Sequence, residues 1–483
     1  MYWRESLHDQ HITVPHLGRK DVTVKMLRTL VLMSALMAAA ACGGLVAPSD
    51  TPTGSSRTVI TNGTVVDGSG SEPIRDGIVV IVENRIAFVG RASDYPNRTG
   101  VRFIDARGGT ILPGIVDAHV HGAFDPGIRR KFMIRGVTSV CDLGSPLEDM
   151  PQFDEGYLNQ EPVARGFHAG PIITAPGGLP GTVLHEDVNY EVETPDEAGA
   201  AVVDLYNRGA DVIKVYLQPE DNGVTFPMLG EEELIAIVDE AHAHGLLVRA
   251  HVTHASLLGM AVRAGVDVME HVPMNVTESE YQNISESQWQ GFLESDDPLQ
   301  VFFDELYPQH ETQLEMMVQA GIVMVPTLDS YWNLYRASDQ TRQEEAAMVV
   351  LMGIVRRFHE LGGVVGLGSD YIPGTGMEVG MPVGEMKMLL SAGLTPMEVI
   401  EASTRHSASV CGHGDELGTL EPGKLADVIV VDGDPLEDLQ AMSQVVLVIQ
   451  NGEIVVISEG MLSTNEQLPE QRQQDQPQAT STP

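Results

Sequence analysis

The chain has 483 residues, a length that suits one large domain plus a smaller module. Acidic residues outnumber basic ones 68 to 29, a formal charge of −39, and a surface of that sign repels phosphate backbones, which excludes nucleic acid as a partner. Three cysteines, Cys42, Cys141 and Cys411, are too few for a disulfide framework and form no closely spaced metal site.

Residues 1–25 carry neither helical nor strand periodicity and read as sequence ahead of the true start, with Met26 or a nearby codon as the initiator. Arg28, an apolar run over 30–41 and then Cys42-Gly43-Gly44 have the marks of a secretory signal, too short to span a bilayer comfortably. The Cys after Ala39-Ala40-Ala41 resembles a bacterial lipoprotein cleavage site, although Ala39 stands where that pattern prefers Leu. Export to the periplasm or cell surface is expected, with two outcomes open: a membrane anchor through lipid on Cys42, or simple cleavage. Residues 47–57, rich in Pro, Ser, Thr and Gly, read as a tether that completes a leader over 1–57. Only 6 residues are Lys, a composition that fits either work in concentrated salt or a solubility surface from an Arg-rich genome.

From 58 to 112 the pattern is short β-rich segments at 58–60, 64–66, 77–82 and 85–89, broken by the turn dipeptides Asn62-Gly63 and Asp67-Gly68. A similar run returns over 418–457, so the two ends predict one small β-sandwich domain, 58–113 plus 412–458. The remainder, 459–483, is rich in Gln, Pro, Ser and Thr and is expected to be disordered. Between the ends, over 114–411, apolar runs at 114–121, 136–143, 170–175, 210–217, 246–252, 267–272, 321–328 and 364–371 alternate with amphipathic stretches. Eight such runs predict an α/β fold, a parallel (β/α)₈ TIM barrel. One helix, 231–244, opens on three Glu, puts Leu234, Ile237, Val238 and Ala241 on one face and stops at Gly245; His242 and His244 in its last turn read as solvated. The acidic stretch 273–320 reads as a lid over the strand ends.

The strongest chemical feature is His119-Val120-His121, closing Leu112-Pro-Gly-Ile-Val-Asp-Ala-His-Val-His121. Side chains two apart in a strand share a face, so both imidazoles can reach one ion. Lys214, inside Ala210-Asp-Val-Ile-Lys-Val-Tyr-Leu217, is costly to bury charged and needs an ion-pair partner, a shifted pKa or a modification. His251 in Val248-Arg-Ala-His-Val252, His271 in Val268-Met-Glu-His-Val272 and Asp370 ending Val364-Val-Gly-Leu-Gly-Ser-Asp370 each lie near the end of an apolar strand, where barrel enzymes keep their chemistry. Singly each has a bland explanation; five strands with a ligand-type residue at one end do not form a packing pattern.

The order His-x-His, Lys, His, His, Asp resembles the amidohydrolase superfamily, with Asn62-Gly-Thr-Val-Val-Asp67 and Leu417-Gly-Thr-Leu-Glu-Pro-Gly-Lys-Leu-Ala-Asp427 similar to its flanking signatures. Glu233-Leu-Ile-Ala-Ile-Val-Asp-Glu-Ala-His242 is similar to the prolidase-like and imidazolonepropionase-like members. The resemblance implies a metal-dependent hydrolase of an amide-type C–N bond: a dipeptide, an N-acyl amino acid or a cyclic amide. It implies two divalent ions, Zn²⁺ by donor type, with Mn²⁺, Co²⁺ or Fe²⁺ as substitutes. His119, His121 and Asp370 would hold the more buried ion, His251 and His271 the other, and Lys214, carboxylated by CO₂, would bridge them. Hydroxide held between the ions would attack the carbonyl, with Asp370 as base and then acid.

The small-molecule substrate is less legible. Tyr216 shares a strand face with Lys214 and either reaches the pocket or packs; His254 and His185 lie in segments bordering it. The Gly-rich run Ala175-Pro-Gly-Gly-Leu-Pro-Gly-Thr182 lacks the His that some prolidase-like members carry, and no paired Arg clamp for a carboxylate is evident. Two other readings stay open: a one-metal deaminase or imidazolonepropionase-like ring hydrolase, which has no use for Lys214, and a non-catalytic binding lipoprotein. Nothing in the sequence fixes the oligomeric state.

Overall fold

The computed structural model describes residues 57–95, 101–153, 162–181, 186–221, 224–274, 284–337 and 341–463. The expectations for the leader, Cys42, His185 and the tail from 464 lie outside these residues; 459–463, expected to be disordered with that tail, is ordered instead, because Met461 is buried and Leu462–Ser463 pairs antiparallel with Arg102–Asp105.

Strands from both ends of the chain form one nine-stranded sheet. Val428–Val431 joins them by pairing antiparallel with Thr110–Pro113, Ile429 facing Leu112. Asn62-Gly63 does not end a strand as the turn pattern predicts. Arg57–Val65 is continuous, and the dipeptide is absorbed as an irregularity in its pairing with Ile74–Val82. Asn62 takes φ 59° and donates from its amide to Asp105 Oδ1 at 2.7 Å, so the local turn preference is met inside the ladder. Val59, Ile78 and Val80 pack on one face of this sheet, while Ile60, Val79, Ile81, Val428 and Leu447 pack together on the other.

The middle of the chain is parallel β with helices between. Ile115–Val120, Val137–Asp142 and Arg165–His168 form a three-stranded parallel sheet. Asn189–Glu191, Ile172–Thr174, Val212–Leu217, Leu247–Val252, Val268–Glu270 and Val323–Val325 form a six-stranded one. The expected run at 364–371 is not a regular strand, yet it is hydrogen-bonded on both sides. Gly366 N donates to Met324 O at 2.9 Å, and Ala118 N donates to Leu367 O at 3.0 Å. The strand Arg165–His168 escaped the sequence pattern because its ends are polar; Arg165 is accommodated by an ion pair to Asp427 at 2.7 Å.

The helix Glu231–Ala243 buries Leu234, Ile237, Val238 and Ala241 as its pattern requires, and Gly245 ends it at φ 75°. His242 and His244 pair on the surface with Asp267 and Glu240. The expected lid region is helical where described: Glu286–Glu294, Pro298–Val301, the wide turn Phe302–Leu306 and His310–Ala320. Phe292, Phe302 and Tyr307 anchor it to the main core. Cys141 and Cys411 are buried free thiols. No helix among the described residues is long and apolar enough to cross a membrane.

Candidate metal centre

His119 and His121 lie at the end of the strand Ile115–Val120 and are 1% and 8% exposed. Asp370 is brought to them by the neighbouring 364–371 run. Its N–H donates to His119 O at 2.8 Å, and Ser369 N donates to Asp117 Oδ1 at 2.9 Å. Asp370 Oδ1 then stands 3.4 Å from His119 Nε2 and 3.5 Å from His121 Nε2. Three such atoms converge within 4.8 Å of one another, the one such group among the described residues.

Close approach of the backbones makes this convergence. A Cβ on Gly368 would lie 2.5 Å from His119 Cβ and 2.7 Å from Val325 Cγ1, so only glycine fits there. Gly368→Ala is expected to cost about 1–3 kcal/mol and to loosen the His119 position. Thermal unfolding and metal content check this; wild-type values in both would show that the contact yields freely.

His251 and His271 end the next parallel strands and face the same cluster. Their ring centroids are 4.3 Å apart, and His271 is 5.0 Å from His119. Three non-glycine residues at these strand ends take positive φ: His271 at 69°, Thr327 at 50° and Asp370 at 54°. A β-branched Thr in that region is strained, and strain of this kind collects where side chains must be aimed. Lys214 is 1% exposed, and its Nζ has no hydrogen-bond partner. Burial lowers its pKa to about 8, against the pull of Glu270. Burial likewise pushes His119 and His251 well down and His271 to about 4, so these rings are neutral, the form that binds cations.

Side chains that the sequence reading passed over hold the rings. Glu270, fully buried, accepts from His119 Nδ1 at 2.6 Å through one oxygen and from Arg249 Nε at 2.7 Å through the other. His271 Nδ1 meets Thr327 Oγ1 at 2.8 Å, and His251 Nε2 meets Gln218 Oε1 at 2.9 Å. Arg249 and Glu270 carried the signal that singled out Lys214, a charged residue inside an apolar strand. Gln218 and Thr327 carried none. Glu270→Ala strands the Arg249 guanidinium in the core and is expected to destabilise by about 3–5 kcal/mol in urea unfolding. A loss below about 1 kcal/mol would mean that Arg249 has another anion to turn to.

At the mouth, Ser330 Oγ donates to Asp370 Oδ2 at 3.3 Å. Tyr331 stands edge-on to His271 at 6.5 Å between centroids. Both belong to the helix Leu328–Ala337, whose Asp329 N–H donates to the buried Glu385 carboxylate at 2.6 Å. Tyr216 stacks on His251 at 3.8 Å between centroids, so it packs against a candidate ligand as well as reaching the site. Burial raises the pKa of both tyrosines, which keeps them as donors. His254 is buried beside the cluster, Nδ1 at 3.2 Å from Thr253 Oγ1. A cleft of about 630 Å³ lined by Arg129, Arg165, Phe167 and His413 includes none of these residues, and the convergence of ligands, not cavity size, marks the site.

Residues 110–455 match the model of the amidohydrolase family. The chain belongs to the amidohydrolase family. It is thereby an enzyme that hydrolyses amide-type C–N bonds, in a family that depends on metal ions. It is 25% identical over 437 residues to ochratoxinase of Aspergillus niger, covering 80% of this chain and 83% of that one. It is also 25% identical over 412 residues to enamidase of Eubacterium barkeri, covering 78% and 87% of the two chains. A Xaa-Pro dipeptidase crystal structure superposes with a TM-score of 0.64 at 24% identity, covering 83% of this chain and 99% of that one, and shares its fold. In this amidohydrolase, the neutral imidazoles, the converging Asp370 and the partnerless Nζ of Lys214 form a donor set that suits divalent cations.

Proposed function

We propose that this amidohydrolase works with two divalent ions. His119, His121 and Asp370 would hold one, His251 and His271 the other, and Lys214, as a carbamate, would bridge them. The observation that carries the reading is the Lys214 amine. It is buried, its Nζ has no partner, and it bears electrostatically on His119, His251 and His271, members of both groups. The amine nitrogen adds to CO₂ and releases one proton, turning a costly buried cation into an anion that two cations stabilise. Imidazole and carboxylate donors favour Zn²⁺.

Ions held there lower the pKa of water and polarise a carbonyl. The chain's own residues do the rest. Asp370 takes a proton and passes it to the leaving nitrogen, while Ser330 steadies Oδ2. Tyr216 and Tyr331 flank the same space as neutral hydroxyls, and His254 borders the substrate. A dipeptide, an N-acyl amino acid or a cyclic amide fits, a range that the names enamidase and Xaa-Pro dipeptidase of its relatives also span. A single-ion reading leaves Lys214 without a role.

We also infer that 114–411 closes as a (β/α)₈ barrel, supported by hydrogen bonds from the 364–371 run to the strands on either side. The nine-stranded sheet folds over as the small β-sandwich, supported by the core that Ile60, Ile81, Val428 and Leu447 share. The leader 1–57 exports the chain, which is either anchored through lipid on Cys42 or released by simple cleavage.

The test is elemental mass spectrometry on protein purified without chelator and with bicarbonate, followed by an amide and dipeptide screen. Two ions per chain and turnover of an amide are expected. One ion with ring deamination would favour the single-ion reading, and two ions with no amide cleaved would overturn the substrate class.

A further inference from the structure

Three imidazoles at this centre, those of His119, His251 and His271, are held by partners of unequal charge, while the buried Nδ1 of His121 has no hydrogen-bond partner among the described residues. His119 donates to a carboxylate, Glu270, which Arg249 fixes from the other side. Among the described residues, His251 and His271 hydrogen-bond to neutral oxygens, the Gln218 amide and the Thr327 hydroxyl. A ring N–H that donates to an anion leaves more electron density on the opposite nitrogen than one that donates to an amide, so the first ring is the better cation ligand.

Gln218 is held in one orientation. Its Nε2 donates to Glu220 O at 3.0 Å, so Oε1 faces inward, where Thr253 Oγ1 donates to it at 3.2 Å. An oxygen in that place can only accept, so the His251 Nε2 that meets it carries the proton. The lone pair of His251 is then on Nδ1. The Thr327 hydroxyl can donate or accept, and fixes no tautomer of His271.

We propose that Gln218 is a positioning residue that fixes His251 as the Nε2-protonated tautomer and, being neutral, makes the His251/His271 position the weaker and exchangeable of the two cation positions. This rests on the two-ion reading above. The chemistry gives the proposal a sign in both directions. An apolar side chain at 218 frees the tautomer and weakens the second ion, whereas a carboxylate there copies Glu270 and strengthens it.

The experiment titrates Zn²⁺, and separately Co²⁺, into chelator-stripped protein in bicarbonate against a chromophoric competitor, for wild type, Gln218→Leu and Gln218→Glu. Two unequal affinities are expected in wild type. Gln218→Leu lowers the second by about 10–100-fold and leaves the first unchanged, while Gln218→Glu raises the second by a similar factor. The Co²⁺ visible spectrum follows the second equivalent in each. Second-ion affinities within about twofold of wild type in both variants, or an equal loss at both positions, overturn the proposal while the two-ion reading stands. A wild type that takes up one ion overturns both. Gln218→Glu preserves the side-chain volume, so a folding defect confined to Gln218→Leu leaves the test intact.

Discussion

Asp370→Asn is expected to keep the fold and lower turnover on the order of 10³-fold. The substitution preserves volume and one oxygen, and Asn tolerates the φ of 54° that residue 370 must adopt. What it removes is the capacity to accept a proton. As a carboxylate 3.4 and 3.5 Å from the ring nitrogens of His119 and His121, at the centre of the site, Asp370 is placed to accept one. Steady-state kinetics with an amide identified by screening, alongside thermal unfolding, checks both halves. Near-wild-type turnover would remove Asp370 from proton transfer, and a collapse in stability would make it a structural residue instead.

The second large effect belongs to Lys214. Lys214→Ala and Lys214→Met are both expected to lose most of the bound metal and to lower turnover on the order of 10²-fold or more, because neither side chain can bridge two cations. Methionine nearly preserves the buried volume, so it separates loss of the bridge from loss of packing. Stripped wild type should recover activity with metal only when bicarbonate is present, and ¹³C-labelled bicarbonate should give a carbamate resonance that both variants lack. Full metal content in Lys214→Met would mean that the lysine is a buried structural amine and that the two-ion site, if present, is bridged by something else.

His119, His121, Lys214, His251, His271 and Asp370 were all legible as candidates in the linear sequence, for one reason. Each is a polar residue in or at the end of an apolar run, and for those in strands the alternation states which face the side chain takes. Seven of the eight predicted parallel runs contain an observed strand, because continuous apolar runs are what buried parallel strands need. The strand Arg165–His168 was not legible, since its burial depends on Asp427, far away in the chain. The run at 364–371 was legible as apolar but not as irregular.

The sequence by itself determined the six candidate ligands, because residue types and their strand faces are local properties of short apolar segments, and the family resemblance they carry implied a metal-dependent hydrolase. Only the tertiary structure decided how those ligands are held: Glu270 against His119, Gln218 against His251, Thr327 against His271, Ser330 against Asp370. Each of these pairs joins residues from different strands or loops. The register of parallel neighbours, with Tyr216 opposite His251 and His251 opposite Glu270, sets them. Register depends on how whole strands pack side by side, and no short stretch of sequence contains that.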